Sequence, residues 1–304
     1  MTHHWGYVGA VSAAILFGIS STLNKIVLAE IHPLVVAGLI YLIAGIFLFL
    51  VRLSPLHRRI LALFETPTET ESAMVGKDYK VLGLVTVSGA VMAPLLFIYG
   101  LNQTTAVNAS LLLNMESLFT VFVAFVFFGE RGVKKDYLGM LLLIAGAIFV
   151  ATNGEFQSLT LAREIIGNLL IVFACLFWGI DNNMSKMLSK KRDLPHVVAL
   201  KCLLGGGILL ALALFLKVDF KIPVFSLPYL FSVGTISIGF SIVLFVFALR
   251  EIGSMKTGVI YSTSSFFGAT FAFLVLREPL STIQLIAGSM MLFGVYILYK
   301  KPYN

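Results

Sequence analysis

Charge is scarce in this chain of 304 residues: Asp, Glu, Lys and Arg together make up only 12% of it. A soluble domain carries about 25%, so the usual wetted surface cannot be built from these residues. Cysteine is nearly absent. Cys175 and Cys202 both fall in apolar runs, which leaves no disulfide framework and no thiolate spacing for a metal. The sequence also lacks a Gly-rich phosphate loop, an HExxH or GxSxG motif and a histidine cluster. An enzyme is therefore not expected, and neither is a cofactor or a bound metal. The net charge of +7 comes from basic residues scattered over short loops, without the basic patch and interleaved aromatics that nucleic acid requires.

What fills the sequence instead is apolar: 59% hydrophobic residues and a mean hydropathy of +0.96. Runs of about 20 such residues cross a bilayer as helices. Ten are expected, near 6–28, 32–52, 80–101, 106–128, 136–152, 165–188, 195–216, 228–249, 255–277 and 281–299. The first is read as a retained helix, because MTHHWGY has no Lys or Arg and no small-residue cleavage site follows. With the N-terminus in the cytoplasm, only Lys25, Arg163, Lys217, Lys221 and Arg277 of the 22 Lys and Arg residues lie outside. That bias predicts a multi-pass protein of the cytoplasmic membrane with both termini inside. The segment 53–79 reads as an interfacial helix (HRRILALFET) followed by a flexible acidic stretch.

The chain repeats itself. GYVGAVSAAILFGISSTLNK at 6–25 aligns without gaps with GNLLIVFACLFWGIDNNMSK at 167–186, pairing Gly18 with Gly179 and Lys25 with Lys186. Pro33 and the VVA after it match Pro195 and its VVA, and 96–146 aligns with 244–294, pairing Ser117 with Ser265, Glu130 with Glu278 and Gly146 with Gly294. Each block is weak alone, but their common order points to duplication. The expected fold class is thus an all-α membrane protein of ten transmembrane helices in two inverted five-helix repeats, 1–154 and 155–304. An odd number of helices per repeat inverts the second copy, and two such halves can rock between states that expose a midplane site to either side.

FFGE at 127–130, LVLRE at 274–278, the stretches Asp136 to Gly146 and Gln284 to Gly294, and FGI and WGI near the start of each half carry a resemblance over essentially the whole chain. The sequence resembles the EamA-type permeases of the drug/metabolite transporter superfamily. That resemblance implies ten helices in two inverted repeats and transport of amino acids or other small metabolites, usually outward. Two positions depart from the family's pattern. Ser117 stands after Glu116 where proline is common, so no proline kink is expected; Ile40 and Tyr41 stand where an Arg often follows the second helix's proline.

Polar residues inside the spans are the candidate site. A carboxylate near the bilayer centre costs about 2.5–3.5 kcal/mol on the lenient scale, so it must be paired, protonated or in a wet cavity. Glu116 lies roughly 1.5 Å from the centre of its helix, has no basic residue at matching depth, and corresponds to Ser264 in the repeat. It is read as a substrate-amine partner or proton carrier, the alternative being a protonated Glu bonded to Asn114 or a Ser. Asp181 and Lys201 share a depth on the cytoplasmic side of the sixth and seventh helices and are expected to pair, as a structural bridge or a gate. Asn182, Trp178, Tyr261 and Ser264 are further cavity candidates. Glu130 and Glu278, just before the fifth and tenth helices, are expected to complement exposed backbone N–H groups there, and Gly18 and Gly179 to permit close packing.

With no ATP-binding motif, transport must run on a gradient. The expected function is a secondary transporter, an exporter of small metabolites such as amino acids driven by a substrate or proton gradient, acting as monomer or homodimer in the bilayer. An organophosphate or nucleotide-sugar exchanger would need fixed positive charge where only Lys201 is available. A membrane sensor would call for a soluble domain that is not visible.

Overall fold

The ten apolar runs form ten helices. The structure, a computed structural model, describes residues 3–54, 76–129, 132–154, 162–189 and 194–300. The helices are α1 (His4–Val27), α2 (Pro33–Leu53), α3 (Asp78–Gln103), α4 (Ala106–Phe127), α5 (Lys134–Thr152), α6 (Glu164–Ser185), α7 (His196–Phe215), α8 (Val224–Phe245), α9 (Lys256–Leu276) and α10 (Thr282–Tyr299). No strand occurs among the described residues. Large apolar side chains such as Phe127, Leu141, Phe173, Leu214 and Leu274 stand on the outside; water would penalise that surface and lipid does not. Neither the interfacial helix expected after residue 53 nor Glu130 lies within the described residues.

Local signals set the helix ends. Pro33 opens α2 with its fixed φ, and the His32 ring accepts from Leu34 N at 3.3 Å. Ser281 and Gln284 form a reciprocal capping box at the start of α10, Ser281 N donating to Gln284 Oε1 at 2.8 Å. At α5 Asp136 supplies one arm of such a box, accepting from Val133 N at 2.9 Å. Between α8 and α9 the expected loop shrinks to a turn at Gly253 (φ 82), a left-handed conformation that an L side chain resists.

The interior departs from regular helix at matched places. Wide π-helical turns occupy Thr86–Met92 in α3 and Ser232–Phe240 in α8. α4 breaks at Leu113 and Asn114, and α9 at Thr263. The break in α4 corrects the expectation of an unkinked helix where proline is missing: Asn114 and Ser265, whose side chains hydrogen-bond across the two helices at 2.9 Å, hold the broken turns together. Such irregular backbone persists at membrane depth only where protein groups or a cavity satisfy it.

Packing partners also come in matched pairs. α1 packs on α8 and α9 as α6 packs on α3 and α4, while α2 meets α7 and α5 meets α10. The wide turn of α3 rests on α7 and that of α8 on α2. A Cβ on Gly18 would stand 2.9 Å from the Phe267 side chain, and one on Gly179 would stand 2.9 Å from that of Phe119; Phe119 and Phe267 are themselves counterparts in the repeat. At the α3–α6 crossing, a Cβ on Gly100 would come within 2.7 Å of the Gly167 carbonyl oxygen. Small residues allow this backbone approach, from which dispersion contacts follow.

Gly100→Ala is therefore expected to destabilise the bundle by about 1–3 kcal/mol through forced separation of α3 and α6. Gly207→Ala, which meets nothing within 4 Å, gains helix propensity worth up to about 1 kcal/mol. Thermal unfolding in detergent checks both; equal melting temperatures for the two variants would refute the close-approach argument.

Candidate functional site

The break in α4 places Glu116 in the first turn of the segment Met115–Phe128, where the helix dipole favours negative charge. Glu116 is half-buried. Its Oε1 accepts from Asn182 Nδ2 at 2.7 Å, and the same amide reaches Thr120 Oγ1 at 3.2 Å. Thr120 in turn donates to the Glu116 backbone carbonyl at 2.8 Å. Asn182, its amide partner, is exposed on α6. Asn114, weighed above as a partner for Glu116, bonds Ser265 instead.

One turn along α6 from Trp178, Asp181 is buried and meets Lys201 of α7, Nζ donating to Oδ2 at 2.6 Å. Ser185 donates to the other carboxylate oxygen at 3.0 Å. The wide turn of α3 brings Gly89 against this pair so closely that a Cβ there would overlap the Asp181 carboxylate. The Gly89 carbonyl accepts from Trp178 Nε1 at 3.2 Å, and the Trp178 ring packs at 5.6 Å from that of Phe97. A buried charge with its ionic partner and a second hydrogen bond is compensated.

Among the described residues Glu116 makes no ion pair. Lys201 and Asp181 both lie within its electrostatic reach, but the Lys201 ammonium is committed to Asp181. The nearest ionisable groups thus comprise two carboxyls and one ammonium. Aromatic residues surround them: Tyr41 on α2 and Tyr299 on α10 come within electrostatic reach of Glu116. Tyr261 on α9 does as well, its ring 4.7 Å from Phe245 and 5.3 Å from Phe17. Among the described residues no group of His, Cys, Asp and Glu is arranged to hold a metal.

The sequence candidates therefore separate. Glu116 and Asn182 meet directly; Asp181, Lys201 and Trp178 form an adjoining cluster; Tyr261 faces it from α9. Ser264 stands elsewhere, its carbonyl packed on Gly18 at the α1–α9 crossing. Glu278 also lies apart, and its position corrects an expectation: its carboxylate accepts from Val107 N at 2.9 Å, capping α4 and not α10, whose own capping box already satisfies its first turn. Sequence reasoning missed Gly89, Thr120, Tyr41, Tyr299 and Cys175, whose Sγ lies 3.6 Å from the Leu112 carbonyl oxygen. Hydropathy gives depth along a helix; it does not say which helices touch, and only Gly89 carried a usable hint as a glycine in an apolar run.

Comparison with known proteins identifies the family and the fold. The model of the EamA-like transporter family matches residues 4–152 and again residues 165–300. An uncharacterized transporter of Methanothermobacter thermautotrophicus is 44% identical over 98% of this chain and 87% of its own length. The uncharacterized transporter YoaV of Bacillus subtilis is 23% identical over 94% of this chain and 93% of its own. One crystal structure superposes with a TM-score of 0.64 at 16% identity, over 96% of this chain and 95% of the other, a likeness of fold alone.

Removing one partner of a buried pair leaves an uncompensated charge, at about 3–5 kcal/mol. Lys201→Met is expected to lower folded yield and melting temperature by that mechanism, and the double variant Lys201→Met/Asp181→Leu to recover most of the loss. Unchanged stability of Lys201→Met would show that the bridge is not structural.

Proposed function

As the chain belongs to the EamA-like transporter family, and is thus a membrane transporter of the drug/metabolite transporter superfamily, we propose that it exports small amine-bearing metabolites, amino acids among them, driven by a substrate or proton gradient. Glu116 is the group that receives the substrate's ammonium or the exchanged proton. The observation that carries this reading is the charge arrangement: Asp181 is neutralised by Lys201 at 2.6 Å, whereas the partner of the Glu116 carboxylate among the described residues is the neutral amide of Asn182 at 2.7 Å. A carboxylate with an exposed amide partner and aromatic neighbours suits a cationic group on an organic body. The organophosphate alternative is disfavoured because the cation nearest Glu116 is already taken.

Transport proceeds by alternating access of the two repeats, 1–154 and 155–304, in the cytoplasmic membrane with both termini inside. Two separate family matches and the paired helix contacts support the division; the distribution of Lys and Arg supports the orientation. The coupled proton is assigned to the same carboxyl group, which exchanges it for the substrate's ammonium. The ionisable groups facing it are Tyr41 of α2, Cys175 and Asp181 of α6, Lys201 of α7, Tyr261 of α9 and Tyr299 of α10.

Flux in liposomes against a panel of amino acids, amines, phosphorylated metabolites and inorganic cations, with and without a pH gradient, tests the proposal. Amine-bearing solutes are expected to move, with Glu116→Gln reducing flux at least tenfold and removing its dependence on pH. Retention of rate and pH dependence in Glu116→Gln would sink the carrier role; flux of phosphorylated solutes alone would favour the alternative.

A further inference from the structure

The two ends of the bundle, related by the repeat, are not in the same state. At one end, where α1 and α3 finish and α4, α6 and α10 begin, a polar network draws the helices together. Lys25 donates to the carbonyls of Leu101 and Thr104 at 2.7 and 2.6 Å, and Thr104 bonds Asn168 at 2.7 Å. Gln284 donates to Asn108 at 2.7 Å, and both side chains are 6% exposed. This end is shut.

The repeat assigns three of these residues a counterpart among the described residues at the other end, where α1, α5 and α9 begin. Asn108 corresponds to Lys256, Gln284 to Asp136 and Asn168 to Tyr7. The backbone roles match: Gln284 and Asp136 both cap their own helices, through Ser281 N and Val133 N. The cross-helix bond does not. Lys256 is exposed and lies 5.6 Å over the ring of Tyr7, which is itself 39% exposed, while Asp136 is half-exposed. The neutral pair Gln284–Asn108 thus has an acid–base counterpart whose members stand apart.

We propose that Asp136 and Lys256 are the gate of this second end, joining as an ion pair when the transporter turns over and separating in the state seen here. The inference rests on the alternating-access reading but not on the role of Glu116. Exchange of the two halves' conformations would bring α5 towards α9 as α10 now meets α4, setting carboxylate against ammonium where amide now meets amide. Two opposite charges at the mouth attract across water before they touch, which a neutral amide pair does not do. The two ends then compete: the Gln284–Asn108 bond holds one closed, and the Asp136–Lys256 pair closes the other.

Pulsed dipolar EPR between nitroxides at Trp5→Cys and Lys134→Cys, both sites exposed, reads this motion in lipid nanodiscs without any substrate. A shorter-distance population is expected, and Asn108→Ala should raise its share at least twofold by weakening the opposite latch. Asp136→Asn, which keeps the helix cap, and Lys256→Gln should each reduce that share at least twofold, and both together no further. A single distance unmoved by Asn108→Ala would overturn the gate, as would a short population that persists undiminished in Asp136→Asn and Lys256→Gln. Loss of flux in Glu116→Gln alongside an intact short population would fault neither.

Discussion

The penalty for an unpaired charge away from water governs this interior. In a chain with so few charged residues, each one within a span must be answered by a neighbour, and Asp181 is answered by Lys201. That pair requires α3 to pass close to α6 and α7, which a wide turn and the bare backbone of Gly89 allow. Once the pair is formed, the remaining carboxyl group becomes conspicuous. Glu116 takes a hydrogen bond from Asn182 but no positive charge of its own, and the helix dipole at the break in α4 supplies the rest of its local stabilisation.

The same helices that hold this cluster also set the possibility of movement. α6 lies on α3 and α4 as α1 lies on α8 and α9, through glycine crossings that repeat with their aromatic neighbours. Crossings of this kind slide with little loss of contact, because few side chains interlock across them. Polar contacts resist sliding: at one end Lys25, Thr104, Asn108, Asn168 and Gln284 join in hydrogen bonds, while at the other Lys256 lies over the Tyr7 ring and makes no ion pair with Asp136. A scaffold of matched crossings with unmatched ends is what a two-state carrier needs.

Much of this was legible in the sequence because bilayer thickness translates directly into run length. The ten helices and the shared depth that lets Asp181 and Lys201 pair follow from counting residues. What could not be counted was azimuth. Asn182 and Asn183 are adjacent, yet one reaches Glu116 and the other the Thr120 carbonyl at 2.8 Å. Glu278 sits just before α10 in sequence but caps α4, since the chain turns at Arg277 (φ 55) and α10 already has Ser281 and Gln284. The break in α4 has no proline to announce it, whereas the wide turn of α3 runs directly into Pro94, which has no N–H to continue the regular ladder.

The central claim is that Glu116 is the uncompensated, reachable carboxyl group while Asp181 is locked. Reaction of the folded protein with a hydrophobic carbodiimide, followed by peptide mass spectrometry, tests this directly. The account predicts modification at Glu116, slowed by a transported amine, with Asp181 unreacted until Lys201 is removed. Modification at Asp181 with Glu116 inert would contradict it.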